Sequence, residues 1–128
     1  MTAAAHNKEY VRRLVDEVIN GGLPNVVDEL YTPETASAAK SWIEPFRRSF
    51  PDVRMEILEL VAEADHVAGR FLCSGTHRGE WRGHKPTGRR FERVDEVYFF
   101  DFRDGRIAGA WGLEDNASRL RQLGLEAG

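Results

Sequence analysis

The chain has 128 residues, 41% of them hydrophobic and 30% charged, with a net charge of -3. That is enough chain for one core with one small pocket and far from a disordered composition, so a single domain over residues 1–128 is expected. The acidic balance argues against nucleic acid as a partner, and with no apolar run of membrane-spanning length and no signal-peptide core, no membrane partner and a cytoplasmic location are expected.

From about His6 to Asn20, Tyr10, Leu14, Val15, Val18 and Ile19 recur at helical spacing, and Gly21-Gly22 ends the pattern. A short helix fits Pro24 to Leu30, with proline in its first turn. A third spans about Ala38 to Phe50, placing Trp42, Ile43, Phe46 and Phe50 along one stripe before Pro51 stops it. After Pro51 the period becomes two. Val53, Met55 and Ile57 lead into a Leu58–Val61 run, and Val67 to Thr76 forms a second strand after a turn at Ala64-Asp65.

The connection from Gly75 to Gly88 holds four glycines and a proline, which interrupt any regular element. It also carries Thr76, His77, Glu80, Trp81 and His84, side chains that proteins use to close over a ligand, and it is held between two strands, where binding residues concentrate. Phe91 to Arg103 is a long aromatic strand. Asp104-Gly105 suits the two positive-φ positions of a type I′ hairpin, Ile107 to Leu113 returns as its partner, and Asn116 to Leu123 forms a terminal helix or turn. Helices first and a meander of long strands afterwards predict an α+β fold, with helices covering one face of an antiparallel sheet.

Three residues are candidates for acid/base chemistry. Asp115 shares alternation parity with Trp111 and Leu113; if those large apolar side chains point inward, Asp115 stands at the inner rim, where desolvation would raise its pKa toward that of a useful base. Its alternative role is to cap the helix beginning at Asn116. Asp101 shares parity with Phe91, Arg93, Asp95, Val97 and Phe99, while Val94, Tyr98, Phe100 and Phe102 form an equally apolar opposite face, so the inner side stays open. With the hairpin at Asp104-Gly105, Asp101 and Asp115 could share one pocket wall and split their pKa values; an outward Asp101 beside the turn is the alternative. His77 could bond a phenol or enolate oxygen, orient Asp115, or pin the Gly-rich connection by bonding a backbone carbonyl.

Trp42, Trp81 and Trp111, with Phe99 across the hairpin, could wall a flat aromatic ligand. Tyr31, before Thr32-Pro33, could offer its hydroxyl to the cavity. Four scattered histidines without helical ligand spacing, and the lone Cys73, argue against any metal and against an internal disulfide. Both faces of the long strands are apolar, so the outer face is expected to meet a second copy of the chain.

The order Gly-Thr-His from Gly75, Pro-Thr-Gly ending at Gly88, then Asp104-Gly105-Arg106-Ile107, Trp111, Asp115 and Gln122-Leu123-Gly124 resembles the SnoaL-like polyketide (ester) cyclases, a branch of the nuclear transport factor 2-like superfamily. The resemblance runs from about Phe50 to Gly124. It implies a strongly curved antiparallel sheet wrapped round the helices as a cone (cystatin-like), a pocket inside, and a homodimer. It also implies cofactor-independent intramolecular aldol condensation of a hydrophobic aromatic polyketide, with Asp115 as acid/base. The chain departs from the pattern at Gly109 and Ala110, where many members carry Glu-His, and in the short segment after Tyr31. Because this fold hosts many activities, a hydroxylase, hydrolase or isomerase and a non-catalytic small-molecule binder stand as alternatives.

Overall fold

A computed structural model of the protein describes residues 2–125. Helix α1 spans Ala3–Arg13 and is opened by Thr2, whose hydroxyl accepts the Ala5 N–H at 3.0 Å. It continues into a wider π-helical segment, Leu14–Asn20, which buries Leu14, Val15, Val18 and Ile19 together. A 3-10 turn, Pro24–Val26, leads into α2, Val27–Leu30.

Helix α3, Pro33–Ser49, begins five residues before the expected Ala38. Pro33 occupies its first turn, where the missing N–H has no intrahelical partner to lose. Pro45 lies inside the helix, which nevertheless runs on until the Phe50 N–H donates to the Phe46 carbonyl at 2.9 Å.

Four strands follow: β1 Arg54–Glu63, β2 His66–Thr76, β3 Arg90–Arg103 and β4 Arg106–Glu114. They pair consecutively and antiparallel in the order β1-β2-β3-β4. Asp104 and Gly105 both take positive φ (51° and 76°), as the hairpin reading required. The register shifts at Leu58, opposite Ser74, and at Ala108, and each shift bends the sheet round the helices. Helix α4, Asn116–Leu123, lies against β3 and closes with Gly124 in the left-handed region. The α+β architecture with a curved antiparallel sheet is therefore as expected.

The core fills the space between the helical layer and the concave sheet face. Val11, Leu14, Val18, Ala39 and Ile43 meet Met55, Phe71, Cys73, Phe100 and Ile107, all buried. On β3 the inward set is Val94, Glu96, Tyr98, Phe100 and Phe102; Asp95, Phe99 and Asp101 point outward. Phe91 is buried although its parity matches the outward set, because Glu92 and Arg93 together oppose Ser74 and the extra residue reverses the alternation. Among the described residues no helix is long and apolar enough to cross a membrane.

Candidate active site

Between the π-helical segment, α3 and the concave face lies an apolar cavity of about 250 Å³, lined by Leu14, Val15, Ile19, Trp42, Phe71 and Tyr98 among others. A second lobe of about 150 Å³ shares Ile19, Trp42, Met55, Tyr98 and Glu114 with it and adds Phe46, Arg47 and Glu96. Small residues on β4 make the room: Ala110 and Gly112 lie opposite Phe100 and Tyr98. A Cβ on Gly112 would stand 2.2 Å from the Tyr98 ring, so that ring packs flat against the strand only because position 112 is glycine.

The polar end of the cavity is a network built on Arg119 of α4. Its guanidinium, fully buried, donates from Nη2 to Glu96 Oε2 at 2.5 Å and from Nη1 to Glu114 Oε1 at 3.1 Å and to Asn116 Oδ1. The Tyr98 hydroxyl donates to Glu96 Oε1 at 2.7 Å. The rings of Phe91, Phe46 and Trp81 surround the same guanidinium, with centroids 4.6, 5.4 and 5.9 Å away, an arrangement that favours a desolvated cation. Burial pushes the Glu96 carboxyl above the usual range; Arg119 pulls it back and the charge of Glu114 adds to the rise. Burial and then Glu96 also push the Tyr98 phenol up, so it stays a donor.

Both oxygens of Glu96 are thus occupied. Glu114 differs: its side chain lines both lobes, keeps 34% of its surface exposed, and spends one oxygen on Arg119. Its Oε2 accepts no hydrogen bond from any described residue. Two carboxylates sharing one guanidinium, one of them open to an apolar cavity, can accept a proton from a bound ligand.

The expected site residues are distributed differently. Asp115 is not at an inner rim: it is exposed, and its Oδ1 accepts the Ser118 N–H at 3.0 Å as the N-cap of α4. Trp111 and Leu113 are 58% and 63% exposed, so the parity that placed Asp115 inward faces outward. Asp101 is also on the outer face, where His66 Nδ1 lies 2.8 Å from its Oδ1. It pairs with Gly109, whereas Asp115 donates its N–H to the Asp95 carbonyl, six residues and about 20 Å along β3, so the two aspartates do not share a wall.

His77 is fully buried and pins the Gly75–Gly88 connection. Its Nδ1 accepts the Thr87 N–H at 3.2 Å, its backbone N–H donates to the Arg89 carbonyl and its carbonyl accepts from Gly88. Burial holds its pKa below the ordinary histidine value.

Of the aromatic wall, Trp42 does line the cavity, while Phe99 and Trp111 stack on each other at 5.8 Å on the outer face. Trp81 is buried against Phe50 and Arg119 and lines a separate groove rather than closing the cavity as a lid. Tyr31 is buried with its hydroxyl unbonded and lines neither lobe. Sequence reasoning missed Glu96, Glu114 and Arg119. One signal was present: Glu96 shares parity with three aromatic residues, Tyr98, Phe100 and Phe102. Among the described residues no group of three His, Cys, Asp or Glu side chains is arranged to hold a metal ion.

Comparison with known proteins gives a consistent picture. A family model described as SnoaL-like polyketide cyclase matches residues 8–123. The chain is 28% identical over 130 residues to the aklanonic acid methyl ester cyclase AcmA of Streptomyces galilaeus, covering 89% of this chain and 88% of that protein. Its structure resembles TsrD from Streptomyces laurentii (TM-score 0.88, 25% identity, 95% and 97% of the two chains). It also resembles AclR from Streptomyces galilaeus, provisionally described as a hydroxylase (TM-score 0.83, 25% identity, 97% and 99%).

Proposed function

This chain belongs to the SnoaL-like polyketide cyclase family, and we propose that it closes a ring in a hydrophobic aromatic polyketide by cofactor-independent acid/base catalysis, with Glu114 as the base. A methylene flanked by two carbonyls is acidic enough for one positioned carboxylate. Glu114 Oε2 takes the C–H proton and the electron pair moves into an enolate. The enolate carbon then bonds to an internal carbonyl carbon, whose π pair becomes an alkoxide and receives the proton back. The product is an isomer of the substrate. Arg119 holds Glu114 in place, and the apolar lobes hold the hydrophobic body of the substrate against it.

The observation that carries this reading is the unbonded Glu114 oxygen on a cavity otherwise lined by Leu14, Val15, Phe71 and Tyr98. The test uses an aromatic ester carrying a β-dicarbonyl side chain in D₂O. Wild-type protein should accelerate deuterium uptake at the methylene and form a ring-closed isomer, and Glu114→Gln should do neither. Equal exchange with and without wild-type protein would leave a non-catalytic binder.

The expected homodimer finds support on the outer face, where Phe99, Trp111, Leu113 and Val61 are all at least half exposed. Exposed apolar surface of that extent on one sheet face favours a second copy.

A further inference from the structure

Beside the cavity lies an open groove of about 450 Å³ that the proposed reaction does not use. Its floor is Phe46, Ser49 and Trp81, its rim carries Arg48, Glu80 and Arg82, and Trp42 separates it from the cavity while lining both. Charge is concentrated here. The stretch from Gly75 to Arg90 contains five basic side chains and one acidic one, in a chain whose net charge is -3. Arg48, Arg78 and Arg82 are exposed and make no ion pair among the described residues, unlike Arg90, which is held by Asp52 and Glu92.

These cations are placed by the backbone. The Ser49 carbonyl accepts the N–H groups of Arg78 and Gly79 at 2.9 and 3.1 Å, which straps the connection across the end of α3 and occupies a carbonyl that would otherwise repel an anion. Gly79 allows the close approach: a Cβ there would stand 2.5 Å from the Arg48 carbonyl oxygen. Arg82 lies over the Trp81 ring, 5.1 Å from its centroid, which limits its freedom, and the residue is exposed. An arginine fork so held suits a tetrahedral or planar oxyanion. Glu80 is the only acid in the lining and offsets part of the charge.

We propose that this groove binds a phosphate-class anionic tail on the ligand whose apolar body fills the cavity, with Arg48 and Arg82 as the binding pair. The inference rests on the cavity being the ligand site. The two ends then differ in charge. Inside, the carboxylates of Glu96 and Glu114 offset the guanidiniums of Arg119 and Arg47, the latter held by the Ile19 carbonyl, so no cation is in surplus; outside, unpaired arginines accept an anion. A ligand with one charged end is thereby oriented with its apolar end inward, past Trp42.

The test measures binding of two probes, neutral 1,8-dihydroxyanthraquinone and the same ring carrying an alkyl phosphate tail, by quenching of tryptophan fluorescence. The phosphate probe should bind about tenfold or more tightly at low salt, with the advantage fading as salt rises. The Arg48→Gln/Arg82→Gln pair should abolish that advantage and leave the neutral probe's affinity and the melting temperature unchanged. Equal affinities in wild type, or an advantage that survives in the double variant, would overturn the proposal. So would a short oligonucleotide that competes with the phosphate probe more strongly than inorganic phosphate does, since the patch would then be a nucleic-acid surface. If the neutral probe fails to bind while the phosphate probe binds through Arg48 and Arg82, the groove stands and the cavity reading falls.

Discussion

Glu114 and Asp115 are adjacent in the chain and serve opposite sides of the molecule. Glu114 ends β4 on the cavity, bonded to the buried Arg119, while Asp115 turns outward to cap α4 through the Ser118 amide. The strand's alternation separates them, and the helix that begins at Asn116 fixes the second.

This relationship makes a direct prediction. Glu114→Gln should lower turnover by roughly two to four orders of magnitude, the usual loss when acid/base catalysis is removed. Asp115→Asn should leave turnover near wild type, because asparagine caps about as well. Asp115→Ala should cost about 1 kcal/mol of stability with activity retained. Steady-state kinetics beside denaturant titration of the three variants separates the roles, and loss of turnover in Asp115→Asn alone would return the chemistry to that residue.

Arg119 should be the most sensitive charged position in the chain. Arg119→Met strands Glu96, which is 2% exposed, and should destabilise by about 3–5 kcal/mol. Arg119→Lys should not restore wild-type stability, because an ammonium cannot span Glu96 and Glu114 as a planar fork does. Adding Glu96→Gln to Arg119→Met should recover part of the loss. Chemical unfolding of the single and double variants checks the coupling.

His77 should shape the pH dependence of stability. Its folded-state pKa lies below the ordinary 6.5, so the unfolded chain takes up the proton first. The unfolded state then binds more protons between the two values, and stability must fall as pH drops below about 6.5. Unfolding midpoints from pH 7.5 down to 5 should decline in wild type and decline less in His77→Gln. Parallel declines would remove His77 as the cause.

The outer sheet face should hold a dimer together. Trp111→Glu places a charge beside Phe99 and Leu113 and should shift sedimentation from dimer to monomer at tens of micromolar protein while the circular dichroism of the fold persists. A wild-type chain that is monomeric at high micromolar concentration would dispose of the interface.

The order of elements was legible in the chain because local chemistry governs it. Gly21-Gly22 and Pro51 punctuate, Asp104-Gly105 supplies two positive-φ residues, and the change of period at Pro51 separates helices from strands. The start of α3 was misplaced because Ser, Thr and Ala between Pro33 and Ala38 carry little periodic signal, and Thr32-Pro33 was the stronger mark.

Which strand face looks inward could not be read locally. On β3, Phe99 and Val97 on one side are as apolar as Tyr98 and Phe100 on the other, and the bulge at Glu92–Arg93 breaks the parity that links Phe91 to them. Only packing against α1, the π-helical segment and α3 chose the face, and with it sent Phe99, Asp101 and Trp111 outward and Glu96 and Glu114 inward. A charged residue's local sequence does not show whether its partner lies close in space. Arg119 reaches Glu96 across 23 positions only after β4 has returned and α4 has folded back over β3, so the charged end of the site was decided by tertiary structure, while Trp42 on its apolar wall was legible in the sequence.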